Sequence, residues 1–176
     1  MTPEAVVVVR EARPDDLTAV AAVFLACWRG SYAGFLPADV IDAYDDPSAR
    51  ALWRRTLSDP SADAVVFVAE QVGRGVLGVI RIGTDPDEPT AGHVYSLYVH
   101  PDTQGLGVGS RLLATADARF GRDGVDEATL WVFAANAAAR GFYSRLGWQP
   151  DGAERVKPQY GEPELRLRRT LRNGTA

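Results

Sequence analysis

The sequence is short of several things, and each shortage narrows what the chain can be. It carries one cysteine, Cys27, so it has neither an internal disulfide nor a cysteine-built zinc site, and Cys27 reads as a small buried hydrophobe. It carries one lysine, Lys157, and leaves the rest of its positive charge to arginine. The formal net charge is −4 and the pI about 5.2. Such a chain lacks the basic surface from which nucleic-acid binding draws its affinity, which argues against a nucleic-acid partner. Long apolar runs are missing too. The "AVVVV" near the start is too short for a signal-peptide core, and nothing approaches the roughly 18 apolar residues of a membrane span. These absences predict a cytoplasmic protein with no membrane partner. The two histidines, His93 and His100, have no carboxylate at ligand spacing, so no metal is expected.

What is present suits an ordinary globular chain, 46% hydrophobic and 24% charged. A chain of 176 residues is expected to form one domain, 1–176, burying about 70% of its unfolded surface without staples.

Residues 5–10, "AVVVVR", are β-branched and continuous, the pattern of a well-covered strand. A helix follows, capped by Asp15 or Asp16, with Leu17, Val20, Ala21, Phe24 and Cys27 or Trp28 at helical spacing. The chain breaks at Gly34 and Pro37 and turns helical again from Ala38 to about Leu57, with Ala51, Leu52 and Leu57 facing inward. The period then changes. Residues 64–71 and 76–83 read as a hairpin, 93–100 as a strand stopped by Pro101, and 107–120 as a helix. A strand at 127–134, a short helix ended by Gly147, a strand from Trp148 and a closing strand at 164–169 complete the order. The strands at 93–100 and 127–134 flank a helix, so they should run parallel. The predicted architecture is α/β, a mixed and mostly antiparallel central sheet with one parallel βαβ crossover and helices on both faces. A homodimer through an exposed sheet edge or the last strand is compatible with this order.

The most informative stretch is "GHVYSLYVHPDTQGLGVGSRLL", where Gly105, Gly107 and Gly109 sit at a strand-to-helix junction. Glycines there bare the main chain, and the first amides of a helix point an unpaired row of donors at whatever lies in front of them. Such a site suits a pyrophosphate. The spacing is neither that of a P-loop, which needs a Gly-Lys-Ser/Thr ending, nor G-x-G-x-x-G. The absence of a loop lysine and of a magnesium-binding carboxylate pair speaks against ATP.

The segment "QGLGVG" fits the Arg/Gln-x-x-Gly-x-Gly/Ala signature of the GCN5-related N-acetyltransferases, with Gln104, Gly107 and Gly109 in the named places. "LYVHPD" before it, "LWVFAANAAARGFYSRLGW" after it and "ACWRGSYAGFLP" upstream resemble further segments of that family in the same order. The resemblance spans about residues 5–170. It implies acetyl-CoA as cosubstrate and an amine, on a small molecule or a peptide, as acceptor. Gln104, Gly105, Leu106, Gly107, Val108, Gly109 and Ser110 would hold the pyrophosphate. Leu97, Tyr98 and Val99 would pair with the peptide-like pantetheine arm, and Asn136 would meet the same arm while capping its helix. The Val99 amide would face the thioester carbonyl. Tyr143 would protonate the departing thiolate. His93 stands where family members carry a glutamate, and would take the amine's proton, with Glu70 and Tyr95 as rivals. Trp28, Tyr32, Phe35 and Leu36 would wall the acceptor site, with residues 157–163 as a lid. Asp42, Asp45, Asp46, Asp85, Asp87 and Glu88 would attract a cationic acceptor. The competing expectation is a coenzyme-binding sensor with little turnover.

Overall fold

The structure is a computed structural model and describes residues 6–59 and 63–171. Strands β1 (Val7–Glu11), β2 (Val65–Gln71), β3 (Gly75–Thr84), β4 (Gly92–Val99), β5 (Glu127–Phe133), β6 (Gln149–Val156) and β7 (Pro163–Thr170) form one sheet in the order β1-β2-β3-β4-β5-β7-β6. All pairs are antiparallel except β4 with β5. Helices α1 (Leu17–Cys27), α2 (Ala38–Asp42), α3 (Asp46–Ser58), α4 (Val108–Arg122) and α5 (Ala137–Arg145) flank it.

Each face of the sheet has its own core. Leu112, Leu113, Ala116 and Phe120 of α4 pack with Ile80, Val94, Leu130 and Trp148 on one side. Val20, Phe24 and Cys27 of α1, with Trp28 just after it, pack with Trp53 of α3 and with Val68, Val79 and Phe133 on the other. Full burial of such side chains is worth about 1.5–3 kcal/mol each, so both layers hold the sheet between them.

Three local expectations need correction. The β-branched run at residues 5–10 forms an edge strand bonded only to β2, with Val6 and Val8 exposed; residue 5 lies outside the described residues. The inward face of α3 is led by Ala49 and Trp53, one turn apart, with Leu52 and Leu57 half-buried against the same core as expected, while Ala51 is exposed. Helix α1 has no side-chain cap: a 3-10 turn at Pro14–Asp16 leads into it. Asp16 there accepts the Arg13 amide (2.7 Å) and pairs with Arg10 (2.8 Å). The last strand, β7, lies between β5 and β6 and offers no edge; the sheet ends at β1 and β6.

The feature that positions the site is the parallel pair. Gly92–Val94 pair with Ala128–Leu130, and beyond them β4 and β5 part company. A cleft of about 820 Å³ occupies the gap.

Candidate active site

The cleft has a main-chain end and a side-chain end. At the first, the chain leaves β4 through a 3-10 turn and enters α4 at Gly107. Gly105 and Gly107 have φ of 81° and 77°, backbone that side chains with a Cβ adopt only under strain. Gly109 is needed for another reason: a Cβ there would lie 3.1 Å from Phe142 Cζ of α5. The glycines therefore divide the work between turning the loop and packing the helix.

The Leu106 amide bonds back to the Thr103 carbonyl (3.3 Å). Among the described residues the amides of Gly105, Gly107, Val108, Gly109 and Ser110 have no main-chain acceptor, so they remain for an anion at the positive end of α4. Leu106 itself is exposed and outside the cleft lining. Gln104 does line the cleft, where its Nε2 donates to Ser31 Oγ (3.2 Å) and ties the loop to the end of α1.

Strand β4 supplies the next part. The His100 amide donates to the Leu77 carbonyl (2.8 Å), so Tyr98 and His100 turn their main-chain groups toward β3. Alternation then turns those of Leu97 and Val99 the other way, into the gap. The Val99 carbonyl accepts Cys27 Sγ–H at 3.0 Å. Burial pushes the Cys27 thiol up to about 12, so it stays protonated near neutral pH.

Across the gap, Asn136 caps α5 by accepting the Ala139 amide (3.1 Å), and among the described residues its Nδ2 makes no hydrogen bond. Tyr143 lines the cleft from α5, packed against Phe142 and Trp148. Burial pushes its hydroxyl well above the ordinary range, which keeps the proton in place for donation.

At the side-chain end, His93 and Thr129 are direct cross-strand partners, so their side chains share a face with Trp131 and Phe133. His93 is only 5% exposed. Its Nδ1 lies 2.7 Å from Thr129 Oγ1 and 3.3 Å from Asp85 Oδ2. Burial holds it below the ordinary imidazole value, partly offset by Asp85. Asp85 thus stands beside His93 in space although no carboxylate lies at ligand spacing from it in the sequence, and no group of three or more metal-ligating side chains exists among the described residues. Tyr95 lines the cleft, but its hydroxyl donates to the Thr84 carbonyl (2.6 Å). Glu70 is bonded to Arg10 (2.6 Å) toward the β1 edge and is not part of the cleft lining.

Of the expected acceptor wall, Trp28 and Tyr32 line the cleft. Leu36 is buried in the α1 layer, and Phe35 stacks behind Tyr32 and Phe133. Of residues 157–163, Lys157 and Tyr160 line this end: Tyr160 packs against Trp28 and Phe133 and bonds to Tyr44 through their hydroxyls (3.2 Å). Of the acidic residues expected to attract a cation, Asp45 caps α3, Asp46 pairs with Arg50, and Glu88 is held by Arg166 and Arg168, whereas Asp85 stands beside His93. The sequence reading missed Trp131, Arg155 and Glu164, which line the cleft. Arg155 stacks on Trp131 (4.1 Å) and bonds to Glu164 (2.6 Å). Their signal was invisible in the sequence because Trp131 on β5, Arg155 on β6 and Glu164 on β7 meet only when the distant strands of the sheet are assembled.

Residues 17–148 match the acetyltransferase (GNAT) family. The chain is 30% identical over 147 residues to "Probable N-acetyltransferase Rv2775" of Mycobacterium tuberculosis, covering 82% of this chain and 80% of that one. It is 36% identical over 88 residues to a mycothiol acetyltransferase of Kocuria rhizophila, covering 48% of this chain and 29% of that one. The fold matches the PaiA N-acetyltransferase of Thermoplasma acidophilum, solved with coenzyme A, at a TM-score of 0.75 and 18% identity, over 94% of this chain and 99% of that one. It matches YncA of Salmonella typhimurium, solved with acetyl-CoA, at 0.68 and 22% identity, over 97% and 96%. The chain belongs to the GNAT family and is an acetyl-CoA-dependent N-acetyltransferase.

Proposed function

We propose that this protein, acting as a single domain in the cytoplasm, moves the acetyl group of acetyl-CoA to a primary amine of a small molecule or peptide. The amine attacks directly, with both substrates bound together. The observation that carries this is the pairing of β4 and β5 at one end only. It opens a strand edge to one substrate arm, beside a helix start with unpaired amides and opposite a face of side chains.

Each residue then has a part. Amides at Gly105 and from Gly107 to Ser110 bind the diphosphate. Leu97 and Val99 pair with the pantetheine amides as a strand would, and Asn136 Nδ2 reaches the same arm. His93 takes a proton from the acceptor nitrogen, which an alkylamine's pKa of about 10.4 keeps largely protonated at neutral pH. The nitrogen bonds to the thioester carbon, and a main-chain amide of β4 stabilises the negative oxygen. Leu97 is nearer to His93 than Val99 is: four residues at about 3.3 Å each against six. This favours the Leu97 amide over Val99, the amide expected from the sequence. The C–S bond breaks as Tyr143 gives its proton to the thiolate, and the second proton that the nitrogen sheds in becoming an amide restores the phenol. A thiol as weakly acidic as Cys27 is a poor acetyl carrier, in keeping with direct attack. Trp28, Tyr32 and Tyr160 enclose the amine's remaining bulk.

The test is release of coenzyme A thiol from acetyl-CoA across a panel of primary amines, as a function of pH. Wild type should show an acidic limb set by one group. His93→Ala should lose that limb and about a hundredfold in kcat. A retained limb with an unchanged rate removes His93 from the reaction.

A further inference from the structure

Resting on the reading of His93 as the base, we propose that Asp85, acting through Thr129, is a positioning residue that holds the His93 proton on Nδ1 and leaves the lone pair on Nε2 for the acceptor amine. The argument is a count of protons. The Thr129 hydroxyl has one, and it contacts three groups: Asp85 Oδ2 at very short range, the Gly92 carbonyl at 3.4 Å and His93 Nδ1 at 2.7 Å. An ionised carboxylate only accepts, so it takes the hydroxyl proton ahead of a neutral carbonyl or imidazole. The hydroxyl oxygen then has only lone pairs to offer Nδ1, and the 2.7 Å contact requires that Nδ1 be the donor. Asp85 Oδ2, 3.3 Å from the same nitrogen, asks for the same proton. Both neighbours therefore select one tautomer.

A purely structural role accounts for only half of Asp85. Its Oδ1 accepts the amides of Asp87 (2.8 Å) and Glu88 (3.1 Å), which shapes the turn between β3 and β4. Among the described residues its Oδ2 takes no part in that turn and faces Thr129 and His93. The carboxylate is 2% exposed, so its placement is costly unless every contact is used. The groups facing the imidazole are Asp85 and Asp87 from the β3–β4 turn, the Tyr95 ring from β4, Thr129 from β5 and Arg155 from β6. The two aspartates favour the charged ring; Arg155 and burial oppose it.

The step balances. Nε2 gains the proton as the acceptor's N–H bond breaks and its electron pair passes to the new N–C bond. The imidazolium charge then lies beside Asp85, which stays ionised. This is the division of labour in serine protease triads, where the aspartate sets tautomer and charge without taking the proton.

The experiment reads the tautomer directly, by long-range proton–nitrogen NMR of the imidazoles in the protein without ligands. Two histidines make the spectrum simple, and His100→Gln assigns it. His100 is an internal comparison, since its Nδ1 accepts the Asp102 amide (3.3 Å) and calls for the opposite tautomer. His93 should show hydrogen on Nδ1 and a bare Nε2. Thr129→Val, which leaves Asp85 Oδ2 as the one remaining acceptor for Nδ1–H among the described residues, should weaken that preference, Asp85→Asn should abolish it, and Thr129→Ser should keep it. In turnover, Asp85→Asn should lower kcat by about a hundredfold with an unchanged KM for acetyl-CoA. Hydrogen on Nε2 in the wild type overturns the proposal. So does a folded Thr129→Val protein with the wild-type tautomer and rate. Should Asp85→Asn fail to fold, the Thr129 pair still decides. A chain that acetylated no amine would sink the proposed acceptor chemistry while leaving the tautomer result intact, so the two failures are distinguishable.

Discussion

The two ends of the cleft are made of different material. The end proposed for the coenzyme is main chain: loop amides, the first turn of α4 and the strand edge at Leu97 and Val99. The end proposed for the acceptor is side chain: His93, Trp131, Arg155, Trp28 and Tyr160, brought together from five separate elements. Main-chain recognition suits a ligand that never changes, because amides bind diphosphate and pantetheine whatever side chains surround them. Side-chain recognition suits a partner that differs between relatives. Substitutions at one end should therefore leave the other end's binding alone.

The sharpest way to break that division is Gly107→Val. A β-branched residue at φ of 77° is strained, and relaxing it moves the amides off target. Acetyl-CoA affinity should fall at least tenfold by calorimetric titration, which about 1–2 kcal/mol of backbone strain supplies. The acceptor KM in the same variant should stay at its wild-type value under saturating coenzyme. A loss confined to the amine would show that the glycine loop is not the coenzyme's seat.

Tyr143→Phe tests the middle of the cleft. It should lower kcat by about tenfold and leave both binding steps unchanged, because the hydroxyl acts only as the thiolate leaves. The expected loss is modest, since a thiol pKa of about 8.5 already makes a fair leaving group. An unchanged kcat would return Tyr143 to a packing role beside Trp148.

The smallest effect concerns stability. His93 is held below its ordinary value by burial, so between about pH 6.5 and its folded value the unfolded chain binds a proton that the folded chain refuses. Stability should therefore fall as pH drops below about 6.5, by at most about 1.4 kcal/mol per unit, and should be insensitive to this group above it. Urea midpoints at pH 7.5, 6.5 and 5.5 check this against His93→Gln, which should flatten that part of the curve. Parallel curves would mean His93 charges as easily folded as unfolded.

The same division explains what could be read from the sequence. Gly105 and Gly107 impose their conformation locally, so the helix start and its bare amides were legible from six residues. Asn136 was legible as a cap for the same reason. The partnership of His93 with Asp85 was not, because it depends on a turn folding back across the β3–β4 connection. Phe35 and Leu36 share the aromatic character of Trp28 and Tyr32 or their apolar bulk, yet the turn after α1 directs them behind the wall. A run of valines at residues 6–9 declares a strand and says nothing about how many neighbours it has; here it has one. Local backbone preferences are written in a few consecutive residues, whereas an acceptor pocket is written in the way distant strands meet.

The central claim is that the gap between β4 and β5, with the glycine-led start of α4, seats a coenzyme. The most direct measurement is the melting temperature with acetyl-CoA, with coenzyme A and with ATP–Mg in parallel. A ligand at a hundred times its dissociation constant adds about 2.7 kcal/mol of stability, a readily visible rise. The account predicts that rise with both coenzymes and none with ATP–Mg. No rise with either coenzyme, or an equal rise with ATP–Mg, would contradict it.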